Sequence, residues 1–233
     1  MQIRPLPVFF FLLGAAMFAD AQTKILFVGN SLTYTNNLPL LVEKIAKEDG
    51  TSIVTEMIAF PNYALEDHWN ETQVSSALAR TKYDYVILQQ GPSAMPASRT
   101  NLVEYALKFS QLCRKSKAKV CLYTVWPSRE RNFDFLNVIK SYAMAADTAG
   151  GRALEAGLAW KKILDENEDF PLYSSDDFHP TMHGSLLSAM VIYATLFQKN
   201  NFDFLKLENL SSKSITEAEL DLMKNVALGV SNN

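Results

Sequence analysis

Cysteine is scarce in this chain: two residues, Cys113 and Cys121, among 233. That excludes a small fold stapled by disulfides. The pair falls late in one predicted helix and inside the following predicted strand, poor geometry for a bridge between them. Charge is balanced, with 22 Lys and Arg against 25 Asp and Glu, and no basic cluster marks a nucleic-acid surface. Beyond the N-terminus no apolar run reaches the ~20 residues that a bilayer-spanning helix needs. Internal repeats, low-complexity tracts and Pro/Ser-rich linkers are also missing. Only three histidines occur, His68, His179 and His183, so imidazole chemistry has few candidates.

What is present begins with a leader-like segment. Arg4 precedes a mainly apolar run from Val8 to Phe18, which includes Phe9-Phe10-Phe11, and then Ala19-Asp20-Ala21. A charged start, an apolar centre and an A-x-A end are the marks of a secretory signal peptide, so 1–21 is expected to be removed and the protein exported, periplasmic or secreted. The run is too short for a membrane anchor, and no cysteine follows it to carry a lipid. Residues 22–233 are long enough for one domain with a sizeable core and short for two. With 48% hydrophobic and 20% charged residues, the composition is that of a globular chain.

Short β-branched or aromatic runs alternate with helical patterns. The spacing predicts strands at 24–29, 51–58, 84–89 and 118–125, with a weaker one at 152–155. Helices are predicted at 38–49, 71–80, 99–116, 132–149, 156–166 and 181–198. Thr216 and Glu219 form a T-x-x-E capping box that opens a last amphipathic helix. Several strands are apolar on both faces, as parallel strands covered by helices must be. The expectation is an α/β fold, a three-layer α/β/α sandwich on a mainly five-stranded parallel sheet of flavodoxin-like order. In such sheets ligands bind beyond the carboxyl ends of the strands, beside the first one.

The stretch Gly29-Asn30-Ser31 falls at that place, directly after Ile25-Leu26-Phe27-Val28. A serine hydroxyl attacks only when a base removes its proton. Near the other end of the chain, "SSDDFHPTMHG" sets Asp176 and His179 three apart in a polar loop ahead of a helix. A carboxylate at that spacing can hold one imidazole nitrogen and leave the other to move a proton. Pro180 suits the first turn of the following helix. His183 lies four residues beyond His179, so Asp176, His179 and His183 are the residues from which a metal site would be built. No H-E-x-x-H signature accompanies them, and the reading assigns no metal.

Together these blocks resemble those of the SGNH (GDSL-type) hydrolases, in a secreted and divergent form. The first block, Gly29-Asn30-Ser31, matches the family's G-D/N-S, and Asp176-Asp177-Phe178-His179-Pro180 matches its D-x-x-H-P. The resemblance extends over nearly all of 22–233. It implies Ser31 as nucleophile, His179 as general base and acid, and Asp176 as the orienting carboxylate, with Asp177 the competitor. The G-x-S-x-G elbow of α/β-hydrolases is a different signature, and Thr33 stands where its second glycine would be. The middle blocks depart from the family pattern. Where related sequences carry Gly-Gly, "AFPNYALEDHW" has Pro61-Asn62, which leaves the Asn62 N–H as the second oxyanion donor after that of Ser31. No asparagine follows the third strand in "YVILQQGPSAMP". Gln89 is the preferred third donor, with Gln90 the alternative and Ser93 the residue that a simple alignment on Gly91 would select.

Further residues at the strand ends can line a pocket. His68 and Trp69 follow the second block, and Trp126 follows the fourth strand; core packing is the competing reading for each. The resemblance implies a cofactor-free serine esterase, with O-acetyl or similar esters on carbohydrates as expected substrates. The balanced charge suggests no nucleic-acid partner, no later apolar run could span a membrane once the leader is cleaved, and the oligomer is left undefined. The altered second and third blocks motivate the alternative, a non-catalytic carbohydrate- or ligand-binding protein on the same fold.

Overall fold

The computed structural model describes residues 22–210 and 214–231. The leader expected at 1–21 lies outside the described residues. Five strands form one sheet: β1 (Thr23–Gly29), β2 (Ile53–Ala59), β3 (Tyr85–Leu88), β4 (Lys119–Tyr123) and β5 (Arg152–Leu154). Their order is β2-β1-β3-β4-β5 and every neighbouring pair is parallel. This is the flavodoxin-like order, in which chain direction across the sheet reverses beside β1. The register pairs Gly29 with Ala59 and Val28 with Leu88, so β1, β2 and β3 end level with one another.

The helices among the described residues are α1 (Ser31–Tyr34), α2 (Leu38–Glu48), α3 (Leu65–Asn70), α4 (Gln73–Arg80), α5 (Pro96–Ser116), α6 (Phe135–Ala149), α7 (Ala156–Glu166), α8 (Met182–Phe197) and α9 (Glu217–Ser231). On one face of the sheet α2, α7, α8 and α9 pack together, and α3 to α6 cover the other. Burial on both faces explains the composition of β1, where Ile25, Leu26, Phe27 and Val28 are wholly inaccessible. Similarly α8 is buried around its circumference from His183 to Leu196 and shows no polar stripe. It is nonetheless a core helix, since no helix among the described residues is long and apolar enough to cross a membrane.

The structure differs from the periodicity reading at several helix starts: α5 opens at Pro96 rather than 99, and α8 opens at Met182 behind its cap Thr181, which leaves Pro180 outside the first turn. The helix predicted at 71–80 opens only at Gln73 and is preceded by the separate α3, where Asp67 caps the Ala64 N–H at 2.8 Å. The segment predicted as helix from 132 is first a 3-10 turn, Arg129–Asp134, in which Arg131 leaves helical geometry. The predicted capping box is present: Thr216 N–H donates to Glu219 Oε2 at 2.7 Å, and the Glu219 N–H reaches Thr216 Oγ1 at 3.3 Å. Cys113 on α5 and Cys121 on β4 are both buried free thiols, and burial pushes each up to about 12.

The N-terminal turn of α8 packs closely against an aromatic cluster. Trp126 and Trp160 stack with centroids 3.3 Å apart and planes at 8°, and Tyr173 meets Trp160 edge-on at 5.0 Å. A Cβ added at Gly184 would lie 2.3 Å from the Trp160 ring and 2.7 Å from the Leu172 carbonyl oxygen, neither of which can swing aside. Gly184→Ala is therefore expected to destabilise the protein by about 1–3 kcal/mol through overpacking, seen by calorimetry as a melting temperature lowered by several degrees.

Candidate active site

The β1 ladder ends in a side chain. In a continuing parallel ladder, after the Gln89 N–H reaches the Val28 carbonyl (2.9 Å), the next bond would join the Asn30 N–H to the Gln89 carbonyl. Instead the Asn30 N–H donates to the side-chain Oε1 of Gln89 at 2.9 Å. The chain thereby leaves the sheet, and Ser31 becomes the first residue of α1. Asn30 caps that turn, accepting the Leu32 N–H on Oδ1 at 3.1 Å. The Ser31 N–H is left without a protein partner among the described residues, as the first N–H of a helix is.

The second loop faces this turn. Phe60 N–H donates to the Gly29 carbonyl at 3.2 Å, and the Asn30 side-chain amide donates to the Tyr63 carbonyl at 2.9 Å. Between them Asn62 adopts φ +62°, a left-handed geometry that asparagine tolerates better than most residues. Its N–H, like that of Ser31, has no protein partner among the described residues. Asn30, Ser31, Asn62, Gln90, Ser93 and Phe178 help to line an open cleft of about 580 Å³ at this edge of the sheet.

The third wall is the loop carrying Asp176 and His179. Asp176 Oδ2 lies 2.5 Å from His179 Nδ1, which leaves the Nε2 side of the ring outside this pair. Asp176 Oδ1 accepts from the Ser174 hydroxyl (2.7 Å) and from the N–H groups of His179 (2.9 Å) and Phe178 (3.0 Å). The His179 ring, then Ser174 and the loop N–H groups, holds the Asp176 carboxyl far below its ordinary range. Asp177 faces elsewhere, bonded at 2.9 Å to Arg129 Nε. The loop is fastened to the nucleophile side by Asn36, whose amide donates to the Pro180 carbonyl (3.1 Å) and to Ser185 Oγ (3.0 Å). No hydrogen bond joins Ser31 Oγ to His179 among the described residues.

Several expected site residues take other posts. Gln89 is wholly buried, and its amide N–H groups are spent on Asn30 Oδ1 (2.9 Å) and the Gln90 carbonyl (2.6 Å). It is thus not a free oxyanion donor, which corrects the expectation. Gln90 lines the cleft, but its amide donates to Ser93 Oγ at 2.9 Å, with a longer contact of 3.4 Å to the Ser98 carbonyl. Its oxygen accepts the Leu65 N–H at 3.0 Å. Ser93 donates its hydroxyl to the Gly91 carbonyl at 2.9 Å. Trp126, read as a pocket wall, is fully buried and uses its indole N–H to hold the Phe178 carbonyl at 3.0 Å. Trp69 is partly exposed, packs edge-on against Phe109 and is not among the residues lining the cleft. His183 turns towards α9, 3.5 Å from Glu219 Oε2, and no cluster of metal-ligating side chains exists among the described residues.

His68 is also structural. Only 2% exposed, it lies 2.8 Å through Nε2 from the Gly29 carbonyl and packs against Phe60 and Tyr63. Burial lowers its pKa, outweighing the Gly29 bond and nearby Glu71 and Asp67, so it is neutral and Nε2–H donates. Sequence reasoning missed Thr33, Asn36 and Tyr63, whose contacts join residues distant in the chain. The one local hint was Asn36-Asn37, both with positive φ. Because the folded state resists protonating His68, the unfolded chain binds that proton more readily, and stability should fall as pH drops below the ordinary imidazole value of about 6.5. Melting temperatures from pH 8 to 5 should show this slope, reduced in His68→Gln.

No protein-family profile matches the sequence, and no curated protein does. Solved structures do match by shape. A protein from Slackia heliotrinireducens, provisionally described as an SGNH hydrolase, is 24% identical with a TM-score of 0.64, over 75% of this chain and 99% of its own. A DUF4886 family protein from Bacteroides uniformis is 13% identical with a TM-score of 0.73, over 90% and 94%. An acetyl xylan esterase from Geobacillus stearothermophilus is 15% identical with a TM-score of 0.52, over 79% and 96%. The chain has the fold of the SGNH hydrolases.

Proposed function

We propose that this protein is an exported serine esterase. The observation that carries the reading is the Asp176–His179 pair, in a loop whose Phe178 lines the cleft where Ser31 begins a helix with its N–H unpartnered, and which Asn36 ties to the nucleophile side through Pro180. In the proposed reaction His179 Nε2 takes the Ser31 hydroxyl proton as Oγ attacks an ester carbonyl. Catalytic hydrogen bonds are often long before substrate binds and tighten in the complex. The carbonyl oxygen, now negative, sits against the N–H groups of Ser31 and Asn62, which prealigned backbone donors stabilise. Collapse of the tetrahedral intermediate breaks the C–O bond, and His179 returns the proton to the departing alcohol. Water, deprotonated by His179, then releases the acid from the acyl-serine. Asp176 keeps the imidazole tautomer and supports its charge when protonated.

An O-acetyl or similarly short ester on a carbohydrate is the proposed substrate. The similarity in fold to an acetyl xylan esterase supports this class. Acetyl-ester hydrolysis and labelling by a serine-reactive phosphonate should both vanish in Ser31→Ala. Asp176→Asn should lower kcat by about a hundredfold or more by freeing the wrong tautomer, whereas Asp177→Asn should stay within about threefold of wild type. A wild type that neither labels nor turns over a broad ester panel would overturn the esterase reading in favour of a ligand-binding role.

A further inference from the structure

We propose that Gln89 is a positioning residue which, through Asn30, sets the spacing between the Ser31 and Asn62 N–H groups; the role in catalysis rests on the esterase reading above. Four contacts define the Gln89 amide. Its Oε1 receives the Asn30 N–H (2.9 Å) and the Thr33 hydroxyl (2.7 Å), while its Nε2 donates to Asn30 Oδ1 (2.9 Å) and the Gln90 carbonyl (2.6 Å). Two donors on one side and two acceptors on the other admit a single orientation of a planar amide. A Cβ on Gly29 would stand 2.3 Å from Gln89 Oε1 and 2.4 Å from Thr33 Oγ1, so the absence of a side chain there makes room for the network.

Asn30 passes this constraint to the second loop. Its oxygen is shared by Gln89 Nε2 and the Leu32 N–H, which turns its Nδ2 towards the Tyr63 carbonyl at 2.9 Å. Tyr63 directly follows Asn62. One chain of hydrogen bonds thus runs from the end of β3, through the residue preceding Ser31, to the residue following Asn62. An aspartate at position 30 would match the shape but could not donate to Tyr63. A glutamate at position 89 would aim a second acceptor at Asn30 Oδ1 and the Gln90 carbonyl. Either change lets the two loops shift independently while every group touching the substrate is retained.

The test compares Asn30→Asp, Gln89→Glu and Thr33→Val with wild type by acetyl-ester kinetics, phosphonate labelling of Ser31 and amide NMR spectra. For Asn30→Asp and Gln89→Glu, kcat should fall about a hundredfold, the scale of losing one oxyanion donor, with KM changed by less than about threefold. Thr33→Val, which removes a single contact to Gln89, should cost about threefold to tenfold. In the spectra Asn30→Asp should move the resonances of both the Ser31 and Asn62 N–H groups. Folded variants that keep wild-type kcat, or an Asn62 resonance that stays in place in Asn30→Asp, would overturn the proposal. If Gln89→Glu fails to fold, the other two variants decide. If wild type shows neither turnover nor labelling, the esterase reading fails, and the coupled resonances alone decide whether Gln89 and Asn30 set the donor spacing.

Discussion

The candidate site depends on how β1 is brought to a stop. A parallel strand buried on both faces has every backbone group committed to its neighbours, and it can leave the sheet only where another acceptor replaces the next carbonyl. Gln89 Oε1 is that acceptor, taking the Asn30 N–H directly beyond the last regular bond to Val28. Without it a polar group would be buried unpaired, at a cost of about 1–3 kcal/mol. The exit it permits makes Ser31 a helix start, and a helix start has N–H groups to spare.

The other walls of the cleft are fastened to this turn by hydrogen bonds, all but that of the Phe60 backbone N–H running from side chain to backbone. His68 and Phe60 both end on the Gly29 carbonyl, Asn30 holds Tyr63, and Asn36 holds Pro180. Trp126, stacked on Trp160, fixes the Phe178 carbonyl from the far side. Core packing and site geometry are therefore one system: the aromatic stack on α7 that excludes alanine at Gly184 also anchors the loop of Asp176 and His179.

Much of the fold was legible because its signals are local. Strand and helix positions follow from short apolar runs and helical periodicity, and the T-x-x-E box marks the start of α9 within a few residues. Asp176 and His179 could be paired from a spacing of three, since both lie in one loop. The resemblance already favoured Asp176 over Asp177, and the fold adds the physical reason: Arg129, far away in sequence, occupies Asp177. The short α3 was missed and α4 was placed two residues early, because Glu71 and Thr72 are polar residues that open a helical pattern as readily as they precede one.

The sequence by itself determined the alternation of strands and helices, and the candidate nucleophile and histidine, because periodicity, capping and short spacings act over a few residues. Only the tertiary structure decided what Gln89, His68 and Trp126 do. Each is a polar or amphipathic side chain at a strand end, in a loop or on a short helix, where the same residue can face a ligand or a backbone carbonyl. The choice lies with partners 39 to 59 residues away along the chain. Burial then settles it, since a polar group removed from water must take the partner that the packed core supplies.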